Sequence, residues 1–155
     1  MNLDFIEAKT SFSVFVPGIP APGGSKRFVG HAKRTGRASL IDDGGVRNKN
    51  WRAAVASFAH DRAPETLFSG ALMACFEFTM PRPKYHFRTT KKDGTRLRED
   101  APTYHIVAPD TTKLVRSTED ALKGIVWTDD SIIAIQTASK TYGEKPGCLI
   151  TITAL

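Results

Sequence analysis

The spacing of apolar and polar side chains along the chain predicts a set of separate β-strands. Residues 12–16 read FSVFV and favour a strand, whereas residues 71–78 read ALMACFEF, an almost continuous apolar run typical of a strand that is mostly buried. Residues 131–140 and 147–153 are rich in β-branched side chains, which predicts two further strands. A hairpin is expected over 26–41, after the Pro/Gly-rich residues 17–24.

Two segments carry helical periodicity instead. The first predicted helix covers about 48–62, with Asn48 or Asp43 as its N-cap. Its apolar positions recur at helical spacing and are expected to lie in the core: Trp51, Ala54, Val55, Phe58 and Ala59. The second predicted helix covers about 112–123 and is amphipathic. Its apolar side holds Leu114, Val115, Thr118, Ala121, Leu122 and Ile125, and its polar side holds Thr112, Lys113, Arg116, Asp120 and Lys123.

Acidic residues flank both ends of this second helix. Pro109 cannot lie inside it, Thr111 or Thr112 is expected to cap its start, and Gly124 can end it in a left-handed conformation. Asp110 therefore comes just before the helix, and the pair 129–130 follows it at a turn leading into a strand. If helix and strand pack antiparallel, we expect Asp130 to return toward Asp110.

The order of the elements predicts the fold class. Strand, hairpin, helix, strand, loop, helix and two strands give too few strand–helix alternations for a doubly wound sheet. We expect an α+β fold, with two main helices on a mixed β-sheet, in a single domain over residues 1–155. The polar segment 80–109 is long for a loop and contains a turn or hairpin signal at 92–95, so a functional or mobile segment is expected there.

Charge is distributed unevenly. The chain has 22 Lys and Arg against 16 Asp and Glu, with a pI near 9.5, so an anionic partner is expected. Five of the 16 acids lie within residues 110–130, whereas the basic residues gather in segments 26–37 and 81–98. Phosphate contacts need such basic arms. The candidate DNA-binding residues are Lys26, Arg27, Lys33, Arg34, Arg88, Lys91, Lys92 and Arg96, together with Lys113 and Arg116 of the second helix.

Carboxylates that converge near a helix end repel each other unless a cation joins them. Mg²⁺ suits such oxygen ligands, with Mn²⁺ as an alternative, and it can activate water for attack on a phosphodiester. Arg116 or Lys113 could then stabilise the charge that develops on the phosphate. Spacing alone leaves a simpler interpretation open, in which Arg116 and Asp120 form an i,i+4 ion pair on a solvated face and residues 129–130 are a polar turn.

Other residue patterns bear on whether the chain has a zinc site, a disulfide framework, a membrane span or a nucleotide site. Cys75 and Cys148 form no zinc or disulfide pattern, and no apolar run approaches a membrane span, so a cytoplasmic protein is expected. Residues 23–26 read GGSK but lack the order of a nucleotide-binding phosphate loop, so no nucleotide cofactor is expected.

His86 could stack on an exposed base or simply pack within its loop. Glu77 could face the acids or point outward from its strand.

One pattern resembles a known family. Pro109-Asp110-x-Thr112-Lys113-Leu114-x-Arg116-x3-Asp120-Ala121-Leu122-x-Gly124, followed by residues 129–132 reading DDSI, is similar to the core motif of the RusA family of Holliday junction resolvases from bacteria and their phages. The residues 17–27 and 50–52 are also similar to the phage-type members. The resemblance spans most of the chain, from about residue 14 onward.

The resemblance implies a homodimeric, Mg²⁺-dependent endonuclease that cuts four-way junctions and other branched DNA in recombination and repair, in the cytoplasm of a bacterial or phage-infected cell. Asp110 matches the first metal-site aspartate, Asp130 with Asp129 the later one, and Asp120 the aspartate within the helix. Thr112 departs from the pattern, because the best-known members of the family have a second aspartate there. Arg116 stands where lysine is common. The departure at Thr112 leaves an alternative open, a dimer that binds junctions or other DNA without cutting.

Overall fold

The computed structural model describes residues 11–24, 26–31, 33–35, 38–42, 45–92 and 94–155, with backbone alone for 26–30 and 38–42. The elements follow in chain order: β1 Ser11–Pro17, β2 Lys26–His31, β3 Ala38–Asp42, α1 Gly45–His60, β4 Leu72–Pro81, β5 Phe87–Thr90, β6 Gly94–Leu97, α2 Thr111–Leu122, β7 Ile133–Gly143 and β8 Gly147–Ala154. Short 3₁₀ turns occupy Lys84–His86 and Asp130–Ile132.

Four strands form one mixed sheet in the order β1-β8-β4-β7. β8 pairs antiparallel with both β1 and β4, whereas β4 and β7 run parallel. β2–β3 and β5–β6 are separate antiparallel pairs. The predicted α+β fold with a mixed sheet and two helices is confirmed.

The core lies between one face of this sheet and the two helices. Alternate side chains of β1, β4 and β8 point to that face and are buried, as the period of two requires. They meet apolar side chains of both helices and of the segment after α2, and the largest fully buried members are Trp127, Phe12, Phe76, Phe78, Leu72, Leu114 and Leu122.

Two buried hydrogen bonds join α1 to α2. The indole Nε1 of Trp51 donates to Thr118 Oγ1 at 3.1 Å, and the Ser117 hydroxyl donates to Asn48 Oδ1. Asn48 therefore lies inside α1 and holds the second helix, and the expectation that it caps the first was wrong. The other cap candidate, Asp43, lies outside the described residues.

α2 lies antiparallel to β7 along the edge of the sheet. Gln136 Nε2 donates to Glu119 Oε1 near the C-terminal half of the helix, while Lys140 Nζ donates to the carbonyl of Pro109 just before its start. The helix ends as predicted, with Gly124 at φ 78°. Among the described residues, no helix is long and apolar enough to cross a membrane.

Segment 80–109 is more ordered than the sequence suggested. It contains the 3₁₀ turn and the β5–β6 hairpin, and Thr90 faces Gly94 across the predicted turn. Its last part runs along the outer edge of β7, where His105 N donates to Lys140 O at 3.1 Å and Tyr142 N donates to Thr103 O at 2.9 Å.

Candidate functional site at the two ends of α2

Asp110 occupies the N-cap position of α2 with an extended backbone, but its side chain makes no capping hydrogen bond. The expectation that Thr111 or Thr112 caps the helix was wrong, because Thr111 is already its first residue. The Asp110 carboxylate is mostly exposed and lies 3.6 Å from Lys113 Nζ. The Asp110 carboxylate therefore lies at the positive end of the helix dipole without capping the helix.

Lys140 fixes the chain that leads to Asp110. From β7, its Nζ donates to the carbonyls of Val107 at 2.8 Å and Pro109 at 2.5 Å. Burial lowers the pKa of Lys140, while the nearby charge of Asp110 acts in the opposite direction. Sequence reasoning did not select Lys140, because its role depends on the pairing of β7 with a distant loop.

A cavity of about 900 Å³ opens beside Asp110. The Pro/Gly-rich segment 17–22 forms one wall, tied down by Gly18 N donating to Pro146 O and Gly23 N donating to Lys113 O, both at 3.0 Å. α1 supplies Arg47, Asn50 and Trp51 to the lining. The cavity therefore combines apolar walls with cations and one carboxylate at its rim.

A second group of acids lies at the other end of α2. Lys123 Nζ is 2.6 Å from Asp129 Oδ2 and 3.8 Å from Asp130 Oδ2, and the indole Nε1 of Trp127 donates to Asp130 Oδ1 at 2.8 Å. The hydrogen bond from Lys123, followed by one from the Ser131 backbone, holds the pKa of Asp129 well below its usual range. Trp127 is fully buried and so fixes the orientation of Asp130.

Glu119 belongs to this second group and was not among the predicted site residues. Burial, and then the charges of Asp130 and Asp120, raise the pKa of Glu119 to about 7. Asp120 lies 3.9 Å from Arg52 of α1. That contact, rather than the i,i+4 pair with Arg116, is the ion pair of Asp120 within the part of the chain that is described.

The two groups of acids are separated by the helix between them. α2 has 12 residues, so its ends are about 18 Å apart. The expected return of Asp130 toward Asp110 does not occur within one chain, because Asp130 precedes β7 and stays at the C-terminal end of α2. Within the described ranges, no three residues of the types His, Cys, Asp and Glu gather closely enough to hold a metal ion.

The residues predicted to contact DNA lie on several different surfaces of the protein. Lys91, Lys92 and Arg96 are exposed on the β5–β6 hairpin, where Arg88 lies 3.6 Å from Glu99. Lys33 and Arg34 are exposed in the turn between β2 and β3, and Lys113 and Arg116 are exposed on α2. Lys26 and Arg27 lie in β2, with backbone alone described.

Burial decides between the alternative interpretations of His86 and of Glu77. His86 is buried and packs edge-on against Tyr142, with ring centroids 4.7 Å apart, so the packing interpretation holds and base stacking does not. The neighbouring Tyr85 is exposed. Glu77 is exposed at an outward position of β4, on the face of the sheet away from the helices.

Comparison with known proteins agrees with this architecture. The model of the family described as endodeoxyribonuclease RusA matches residues 18–153, nearly the whole chain. An uncharacterized protein of Bacillus subtilis (strain 168), YqaN, is 27% identical over 113 residues, which is 73% of this chain and 77% of that protein. The family match includes residues 18–22 of the cavity wall, both helices and all the acids described above. The chain therefore belongs to the RusA family of endodeoxyribonucleases.

Proposed function

We propose that this protein is an endonuclease that resolves four-way DNA junctions and other branched DNA in recombination and repair, as a homodimer that requires a divalent cation such as Mg²⁺. The observation that carries the proposal is the exposed Asp110 carboxylate at the rim of a cavity lined by cations, in a member of a family of endodeoxyribonucleases.

Each part of this end of α2 has a role in DNA binding. Lys113 and Arg47 are placed to contact phosphate oxygens at the cavity rim, and the positive end of the helix dipole adds to their attraction. The apolar walls suit the sugar and base surfaces of a single strand. Lys140 holds the Pro109 carbonyl and so fixes the position of Asp110.

The donor chemistry suits Mg²⁺, since carboxylate oxygens are its usual protein ligands. When bound, the ion supplies an activated water and neutralises charge on the phosphate. Within one chain, however, the proposed ligands Asp110, Asp120, Asp129 and Asp130 are divided between the two ends of α2, and Lys123 occupies the space between the last two.

The proposal is tested with a labelled four-way junction and the matching linear duplex. We expect cleavage of the junction in Mg²⁺, no cleavage in EDTA and little cleavage of the linear duplex. Cleavage that proceeds equally on duplex, or persists in EDTA, would contradict the proposed activity.

A second candidate function is a dimer that binds junctions or other DNA without cutting them. Thr112 favours it, because a hydroxyl on the first turn of α2 replaces a carboxylate and is a weaker ligand for a hard cation. Tight junction binding with no product in either Mg²⁺ or Mn²⁺ would select this candidate.

A further inference from the structure

Exposed large apolar side chains are concentrated in the segment 85–107. They are Tyr85, Phe87, Leu97, Tyr104, Ile106 and Val107. Phe87 and Leu97 lie opposite each other in the β5–β6 hairpin, whereas the other four line one pocket of about 340 Å³. Ile106 is 87% exposed, and Tyr85 and Tyr104 are each 68% exposed. A cluster of this kind marks a binding surface.

The inner wall of the pocket is formed by His86, which is buried, and by Tyr142, which is half-buried. Their ring centroids are 4.7 Å apart, and the ring of His105 also lies 4.7 Å from that of Tyr142. The guanidinium of Arg82 lies 5.6 Å from the same ring. These contacts do not involve the exposed rings at the mouth, so the pocket should keep its shape when those rings are replaced.

Backbone hydrogen bonds hold the two exposed tyrosines in place. The 3₁₀ turn that carries Tyr85 is joined to the end of the hairpin, where Arg98 N donates to His86 O at 2.9 Å. The segment that carries Tyr104 is held against β7 by the hydrogen bonds of its two neighbours, at 103 and 105. Because both segments are already ordered, a ligand that stacks on these rings has little ordering cost to overcome.

The surroundings of the pocket are basic. Residues 81–98 hold seven cations, at 82, 84, 88, 91, 92, 96 and 98, against one acid at 93. The acid that lines the pocket, Asp100, accepts hydrogen bonds of 2.9 and 2.8 Å from Arg98, so its charge is offset. Cations beside exposed aromatic rings suit a nucleic-acid strand with unstacked bases, because every base has a face that stacks on such a ring.

The size and position of the pocket narrow the ligand further. About 340 Å³ is at the low end of ligand pockets, which suits one nucleobase and excludes a duplex. Tyr104 precedes Asp110 by six residues, so their backbones are at most about 20 Å apart. A base held here therefore belongs to a nucleotide near any phosphate bound at Asp110.

We propose that this pocket takes up one unpaired base at the branch point of DNA, with Tyr104 and Tyr85 as its stacking surfaces. The inference rests on the proposed function for the identity of DNA as the partner. It adds a reason for preferring branched DNA, since a linear duplex offers no unpaired base.

Binding in EDTA tests the pocket separately from cleavage. Tyr104→Leu removes the ring but keeps an apolar side chain, whereas Tyr104→Phe keeps the ring and is the matched control. We expect Tyr104→Leu to weaken binding to a four-way junction about 10-fold, the size of one lost stacking contact, and Tyr104→Phe to bind like wild type. Neither variant should change the affinity for linear duplex. The salt dependence of junction binding should keep its slope, since no phosphate contact is lost.

A photo-cross-link locates the base. 5-Iododeoxyuridine placed next to the branch point should cross-link to Tyr104 or Tyr85, identified by mass spectrometry of the peptides. The same base placed deep in one arm of the junction should not. Cross-linking that is equal at the two positions would overturn the inference.

Three further results separate the explanations. If Tyr104→Leu binds the junction as tightly as Tyr104→Phe, or weakens duplex binding equally, Tyr104 does not stack on an unpaired base. If Tyr104→Leu changes the sedimentation of the protein without DNA, the ring contacts another protein chain and the inference is wrong. A wild type that binds the junction without cutting it would contradict the proposed function, while the stacking inference would be supported by the binding and cross-linking results.

Discussion

At the scale of single residues, the fold places the carboxyl of Glu119 in an environment that disfavours its charged form. Its carboxyl is about half buried and faces Asp130 and Asp120, which raises its pKa from near 4.5 to about 7. A carboxyl whose pKa is higher in the folded protein than in the unfolded chain binds its proton more tightly in the folded state. This acid therefore lowers the free energy of unfolding progressively as pH rises from about 4.5 to about 7.

Glu119→Gln should remove this penalty. In EDTA at pH 8, we expect the variant to have a free energy of unfolding higher by about 1–2 kcal/mol, reduced from the full linkage value by the partial exposure of the group. At pH 4.5 the two proteins should differ little. Urea unfolding at both pH values measures this, with the exposed Glu65→Gln as a control expected to show no difference. An equal gain at both pH values would mean that the charge of Glu119 is not the cause.

Thr112 carries a second prediction at this scale. Thr112→Asp adds a carboxylate two residues from Asp110, at a helix end that stabilises negative charge. The Mg²⁺ concentration for half-maximal cleavage should therefore fall, whereas Thr112→Asn should leave it unchanged. A titration that shows an unchanged or higher requirement for the aspartate variant would mean that position 112 does not face the ion.

The sequence located the exposed acids of the candidate site relative to α2, but it did not locate the residues that contact them. Asp110 could be located because Pro109 and the start of an amphipathic pattern fix the helix boundary to within a residue or two. Lys140 could not, because its contacts with Val107 and Pro109 depend on tertiary packing. The same holds for Glu119, because its pKa is raised first by burial and then by Asp130, which the turn after α2 brings close.

At the scale of elements, strong periodicity located both helices and the four strands of the main sheet. In the segment 80–109, the turn or hairpin signal at 92–95 was correct, but the polar composition did not reveal the strands β5 and β6 on either side of it. Every residue of β6 is exposed, so no buried face produced the alternation that reveals a strand. Short exposed strands are stabilised by their turn and cross-strand pairs, such as the hydroxyls of Thr89 and Thr95 at 2.8 Å.

The hairpin carries a prediction about DNA affinity. Replacing Lys91, Lys92 and Arg96 with Ala should weaken binding to junction and duplex alike. The slope of log affinity against log salt should flatten by up to about three units, one for each phosphate that these side chains neutralise. Fluorescence anisotropy over a range of salt measures this, and thermal stability should hardly change.

Arg62→Ala, just after α1, is the matched control for an exposed cation away from the hairpin. If the triple variant binds with the wild-type slope, the hairpin does not touch DNA. The turn that carries Lys33 and Arg34 would then be the surface to examine.

At the scale of the whole molecule, the main sheet is covered on one face and exposed along one edge. One face of the sheet is covered by the two helices, whereas the outer edge of β7 is largely unpaired among the described residues. The sequence predicted the α+β class, because the order of elements excludes a doubly wound sheet. It also placed the acids before and after α2, but it wrongly expected Asp130 to return toward Asp110, since helical periodicity says nothing about the direction of the chain after the turn.

The most direct test of the account is the cleavage and binding of a four-way junction by Asp110→Asn. This change removes one negative charge and leaves the backbone of α2 intact, so junction affinity in EDTA should stay within about twofold of wild type. Cleavage in Mg²⁺ should fall by more than about 100-fold, because even the loss of a group that only orients a metal ligand costs roughly 10- to 100-fold. Asp61→Asn, an exposed acid after α1, should cut at the wild-type rate. If Asp110→Asn cuts the junction as fast as Asp61→Asn does, the catalytic site does not lie at the start of α2.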